Sequence, residues 1–113
     1  MKEIAFIFSF KVAPENEEAY QKMLAETLKI TKNETGTLMY EVFKDENSLY
    51  CQYERYADEE AVMQHVQRTH IQLQQWFELT EIQQIITLGN ISNTLKEQFD
   101  LKEIYVPFKR VDK

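Results

Sequence analysis

Ile4 to Val12 read IAFIFSFKV, and the fold follows from how those nine residues divide between two faces. Side chains alternate across an extended chain, so Ile4, Phe6, Phe8, Phe10 and Val12 share one side, while Ala5, Ile7, Ser9 and Lys11 share the other. The first side is wholly apolar, as a strand covering a core should be. The second still carries Ile7, so it is less polar than a solvated sheet face ought to be.

Downstream of this strand, Pro14 stands at a helix start, with Glu15, Glu17 and Glu18 at the positive end of the helix dipole. Ala19, Tyr20, Met23, Leu24, Thr27, Leu28 and Thr31 recur at three- and four-residue intervals and predict an amphipathic helix to about Lys32. Gly36 supplies the following turn. Two strands follow, roughly Leu38 to Lys44 and Leu49 to Tyr56, joined by the polar link Asp45-Glu46-Asn47-Ser48. Asp58 caps a second helix, whose stripe of Val62, Val66, Thr69, Leu73 and Trp76 or Phe77 has room for a break near Thr69-His70. Ile82 to Leu88 is the last strand of the sheet, with Ile82 and Ile86 opposed to Ile85 and Thr87. A helical segment around Ser92 to Phe99 and an alternating segment from Glu103 to Phe108 complete the chain.

The order β-α-β-β-α-β is the split βαβ, ferredoxin-like arrangement of an α+β protein, with an antiparallel sheet and both helices on one face. A single domain over residues 1–113 is expected, with a core at about 3–91 and an extension over 92–113. The second sheet face mixes Met39, Phe43 and Ile7 with polar residues, and no third long helix is available to cover it. An apolar patch above roughly 600 Å² is more than soluble monomers carry. A homodimer, sheet against sheet, is the expected remedy.

Composition narrows the partners. Thirteen Lys and Arg against nineteen Asp and Glu give a formal charge of -6, which repels nucleic-acid phosphates and anionic lipid heads. The run Ile4 to Phe10 is too short to span a bilayer and is not read as a signal peptide, so a cytoplasmic protein is expected. A lone Cys51 excludes an internal disulfide. Two glycines in all are too few for a phosphate loop or a nucleophile elbow.

The stretch Glu34-Thr35-Gly36-Thr37-Leu38-Met39-Tyr40-Glu41, the strand end Tyr53-Glu54-Arg55-Tyr56-Ala57-Asp58, and Ala61, His65 and Thr69-His70 resemble the antibiotic biosynthesis monooxygenase family of dimeric α/β barrels. The resemblance covers about residues 3–91. It implies a substrate pocket between helices and sheet. The activities it brings with it are cofactor-independent oxidation of quinols or polycyclic phenols, haem degradation, and isomerisation of a phosphorylated quorum-signal derivative. Haem is not expected, because the first strand lacks the Asn carried by the haem-degrading branch.

His65 and Tyr40 are the candidate catalytic residues, as base and hydroxyl donor. Tyr53, Glu54, Tyr56, His70 and Trp76 are candidate substrate contacts. Each also has an ordinary structural role open to it: a packed histidine, core aromatics, a carboxylate capping or pairing within the sheet. His65 and His70 diverge by roughly 140° on one helix and cannot chelate together, so no metal is expected. The expected function is a cofactor-independent monooxygenase acting on a quinol or similar small phenol. An isomerase and a non-enzymatic dimeric binding or stress-response module are the alternatives. Only Arg55 and Arg68 lie near enough to serve a phosphorylated substrate, which counts against the isomerase.

Overall fold

The alternation at the start of the chain resolves into a strand, β1 (Ile4–Val12), at the centre of a five-stranded sheet in the computed structural model, which describes residues 2–112. The other elements are α1 (Glu17–Thr31), β2 (Thr37–Lys44), β3 (Leu49–Tyr56), α2 (Glu59–Arg68), α3 (His70–Leu79), β4 (Thr80–Leu88), α4 (Asn93–Gln98) and β5 (Glu103–Tyr105). The sheet order is β2-β3-β1-β4-β5. The first four strands pair antiparallel, and β5 adds to β4 in parallel. This is the expected ferredoxin-like α+β arrangement, extended by one short strand. Among the described residues no helix is long and apolar enough to cross a membrane.

Local chemistry sets each boundary. Pro14–Asn16 form one 3-10 turn ahead of α1, so the helix proper begins at Glu17. Asp45 Oδ1 accepts from the amides of Asn47 (2.8 Å) and Leu49 (2.9 Å) and so shapes the β2–β3 hairpin. The Asp58 side chain caps α2 through the Ala61 amide at 2.8 Å. The long second helix does break where Thr69 and His70 meet. Thr69 turns its hydroxyl back to the His65 carbonyl at 2.7 Å and leaves helical geometry, separating α2 from α3.

Two expectations change. A bulge opposite Ser9 and Phe10 inserts Gln83, so Phe10 pairs with Ile82 while Phe8 pairs with Ile85. Ile82, Ile85 and Thr87 therefore face the helices together, and Ile86 joins Ile7 on the far side. In α1, Tyr20, Met23, Thr27 and Thr31 are buried as the stripe requires, but Leu28 is 43% exposed.

The core divides into two clusters. Ile4, Phe6, Tyr56, Ala61, Val62 and Leu95 form one; Phe10, Val12, Tyr20, Met23, Tyr50 and Trp76 form the other. Burying a side chain such as Phe10 contributes about 2 kcal/mol. Phe8 touches both clusters without being fully buried by either, and a cavity opens between them.

Candidate functional site

The cavity lies between the sheet and α1, α2 and α3, and measures about 130 Å³. Space of that order takes one aromatic ring, as engineered cavities that bind benzene do. Phe6, Phe8 and Ile85 form its floor on the sheet; Leu73 and Trp76 form its roof; Phe99 and Leu101, from the segment after β4, contribute a further wall. Its polar groups are Tyr40, Gln52, Glu54, Tyr56, His65 and Thr69, with Thr27 and Gln72 from α1 and α3.

Strand parity brings the first of these together. Tyr50, Gln52, Glu54 and Tyr56 all point from β3 toward the helices, and Tyr40 on β2 sits beside Glu54 in the register. The Glu54 carboxylate accepts from Gln52 Nε2 at 2.5 Å and from the Tyr56 hydroxyl. Burial pushes the Glu54 carboxyl above its ordinary range, partly offset by the nearby His65 and by the Tyr56 and Gln52 hydrogen bonds. Burial, with the Glu54 charge second, also raises the Tyr40 and Tyr56 phenols well above the usual tyrosine value. Both tyrosines therefore stay protonated at neutral pH and can act as hydroxyl donors.

His65 is delivered by α2. Its ring lies 5.6 Å from the Tyr40 ring and 5.5 Å from the Tyr56 ring, centroid to centroid. Its Nδ1 is 2.7 Å from Glu34 Oε1, and the two side chains are only 9% and 6% exposed. Two buried polar atoms in the wall, the Trp76 indole nitrogen and Gln52 Oε1, have no hydrogen-bond partner among the described residues. They offer a ligand one donor and one acceptor.

Of the residues singled out in the sequence, His65, Tyr40, Glu54, Tyr56 and Trp76 meet at the cavity. Tyr53 does not. It pairs with Ile7 on the opposite face of the sheet, because odd-numbered positions of β3 point away from the helices. His70 does not either. It begins α3 on the exposed side, with its ring against the Gln67 carbonyl at 3.0 Å. Glu34 opens the quoted motif but was given no role there, and Gln52 and the Phe99–Leu101 wall were not among the candidates. The parity that turns Glu54 toward the helices turns Gln52 there too, whereas Glu34 carries no local signal of a partner 31 residues away. Among the described residues no group of three or more His, Cys, Asp or Glu is placed to hold a metal ion.

Comparison with known proteins gives the same frame. The chain aligns over its full length with MupZ from Pseudomonas fluorescens, covering 96% of that chain at 16% identity and a TM-score of 0.84. SnoaB from Streptomyces nogalater, a cofactor-independent oxygenase, matches 82% of this chain and 97% of its own at 12% identity and a TM-score of 0.66. A structure of an antibiotic biosynthesis monooxygenase matches 79% of this chain and 99% of its own at 15% identity, also with a TM-score of 0.66. At such identities the likeness is one of fold. No curated protein sequence matches the chain. The sequence pattern of the antibiotic biosynthesis monooxygenase family, however, matches residues 4–76, well over half of the chain, and the protein belongs to that family.

Proposed function

We propose that the protein is a cofactor-independent monooxygenase that oxidises a small phenol of the quinol type with dioxygen, working as a homodimer. The observation that carries this reading is the placement of His65: an imidazole in the wall of an apolar aromatic cavity large enough for one ring. The cavity size favours a monocyclic substrate over a polycyclic one. The acidic surface and the single Cys51 support a cytoplasmic small-molecule role over one on nucleic acid or lipid.

The chemistry asks for a base and a dry pocket. His65 takes the phenolic proton. The electron-rich anion passes one electron to dioxygen, and the two radicals join as a carbon-bound peroxide, which takes the proton back. Loss of water then leaves one oxygen atom as a new carbonyl. The substrate supplies all the electrons and both hydrogens of that water, one from its hydroxyl and one from the attacked carbon. Tyr40, and the unpartnered Trp76 indole nitrogen, supply hydrogen bonds to the developing oxygen charge.

Trp76 is the sole tryptophan and lines the cavity, so its fluorescence reports occupancy. Methyl-substituted hydroquinones should quench it saturably and should support oxygen uptake above buffer autoxidation. His65→Gln should keep the quenching and lower uptake roughly 10²-fold, the usual worth of a positioned base. Saturable quenching with no uptake would remove the oxygenase. It would leave proton transfer within a bound substrate as the better reading, supported by Glu54 and His65 facing one cavity. No quenching at all would favour a binding module for a different ligand.

A further inference from the structure

Glu34 lies outside the cavity wall, yet the protein buries it behind His65 with unusual attention to its orientation. Its Oε1 accepts from Thr37 Oγ1 at 2.8 Å and lies 2.7 Å from His65 Nδ1, while Oε2 is buried with no partner among the described residues. A carboxylate that needed only solvation would spread its partners over both oxygens. Here both converge on one, and Thr37 steers that oxygen toward the imidazole.

The backbone explains how the two meet. Gly36, two residues after Glu34, lies so close to α2 that an added Cβ would sit 2.6 Å from Ala61 Cβ. Real Cβ atoms do not approach that closely, so glycine is required. The Gly36 carbonyl also accepts from the Ala57 amide at 2.9 Å, tying this turn to the start of α2. Ala61 and His65 are one helical turn apart and lie on the same side of α2. The small contact of Gly36 on Ala61 therefore lowers α2 onto the turn, and the next turn of the helix sets His65 against Glu34. Three separate features of the sequence, Glu34-x-Gly36, Ala61 and His65, reduce to one joint.

We propose that Glu34 is a positioning residue: it accepts the Nδ1 hydrogen of His65 and so holds the imidazole in the tautomer whose bare Nε2 is presented to the cavity. A neutral imidazole has one donor and one acceptor nitrogen, and the partner of the first fixes the role of the second. An ionised carboxylate only accepts, so a hydrogen bond between the two places the hydrogen on Nδ1. When Nε2 takes a substrate proton, the Glu34 carboxylate stabilises the imidazolium formed. The groups facing the ring are then Glu34 on Nδ1, the Tyr40 and Tyr56 rings beside it, and Glu54 across β3, whose charge it influences. This assignment rests on the reading of His65 as the base, but its first test does not depend on turnover.

The protein has two histidines, so ¹⁵N-imidazole NMR of the full chain in a His70→Gln background reports His65 alone. At a pH where the ring is neutral, Nδ1 should carry the hydrogen and Nε2 should give the signal of a bare nitrogen. Glu34→Ala should shift the ring toward the Nε2–H form and lower kcat for hydroquinone oxidation by about 10²-fold with little change in KM. Glu34→Gln keeps a carbonyl acceptor and should retain the wild-type tautomer and rescue part of kcat. Gly36→Ala, which lifts α2 and with it His65 away from Glu34 while leaving both residues unsubstituted, should reproduce the tautomer change of Glu34→Ala. An Nε2–H ring in the otherwise wild-type protein, or a tautomer unmoved by Glu34→Ala, would overturn the assignment. The expected tautomers without any oxygen uptake would sink the oxygenase reading while leaving Glu34 in its role.

Discussion

Glu54 carries a cost that can be read in pH. Burial raises its carboxyl above the ordinary range, so between its unfolded and folded titrations the native state holds a proton that the unfolded state has released. Stability must then fall as pH rises through that window, the opposite of the usual carboxylate. Glu54→Gln, which keeps a hydrogen-bonding group in place without the charge, should unfold at a higher temperature at pH 7 and lose the downward slope. The check is the melting temperature of both proteins from pH 4.5 to 8. A parallel pair of curves would show that Glu54 is solvated or compensated in the native state. At the same scale, Glu54 and Tyr56 entered with the strand-end motif, and strand parity, which is local, would have kept them, added Gln52 and set Tyr53 aside. Tyr53 entered through its place in a motif although its parity set it on the other face. Glu34 stood in a quoted motif, but its role stayed hidden because nothing in a turn announces which distant side chain it will meet.

Among the elements, α4 matters more than its six residues suggest. Leu95 is 1% exposed and belongs to the cluster of Ile4, Phe6 and Tyr56. Ser92 holds the segment to α2, its amide and hydroxyl meeting the two Glu59 oxygens at 2.9 and 2.8 Å, and its Oγ also caps α4 at the Leu95 amide. Phe99 and Leu101 then reach the cavity. Leu95→Ala should therefore cost about 3 kcal/mol in chemical denaturation, as large-to-small changes in a closed core do. Ending the chain after Tyr105 removes residues of which Val106, Phe108 and Val111 are 63%, 91% and 72% exposed, and should leave that stability within about 0.5 kcal/mol. Equal losses from the two changes would mean that the tail packs as tightly as α4. The helix of this segment was legible, with Ser92 as a cap and apolar spacing behind it. The strand was legible only in part: the expected run from Glu103 to Phe108 pairs over Glu103–Tyr105 alone, since β4 offers partners only as far as Leu88. The β4 bulge had no signature either, because Gln83 and Gln84 are both polar and either could be the extra residue.

At the scale of the molecule, the side of the sheet away from the helices decides whether this chain can work alone. Met39 and Phe43 are 39% and 50% exposed there, and Ile7, Leu49, Cys51, Tyr53 and Ile86 are only partly buried beside them. Charges on this face are Glu41 on β2, Arg55 on β3, Lys11 opposite Glu81, and Glu103 on β5 beside Ile86. A face so composed drives association, whereas the net charge of -6 on each copy opposes it. The two terms respond differently to salt. Screening at 0.5 M ionic strength shortens the reach of the repulsion to about 4 Å and leaves the apolar attraction in place. Sedimentation at micromolar concentration should thus find a species of two chains, and dissociation on dilution should occur at lower protein concentration in high salt than in low. Phe43→Glu adds a charge to the proposed contact, on a residue half exposed in the single chain, so it should weaken the dimer while the melting of the monomer remains cooperative. A chain that sediments as a monomer at every salt concentration would leave this face to water, and the homodimer would have to be given up.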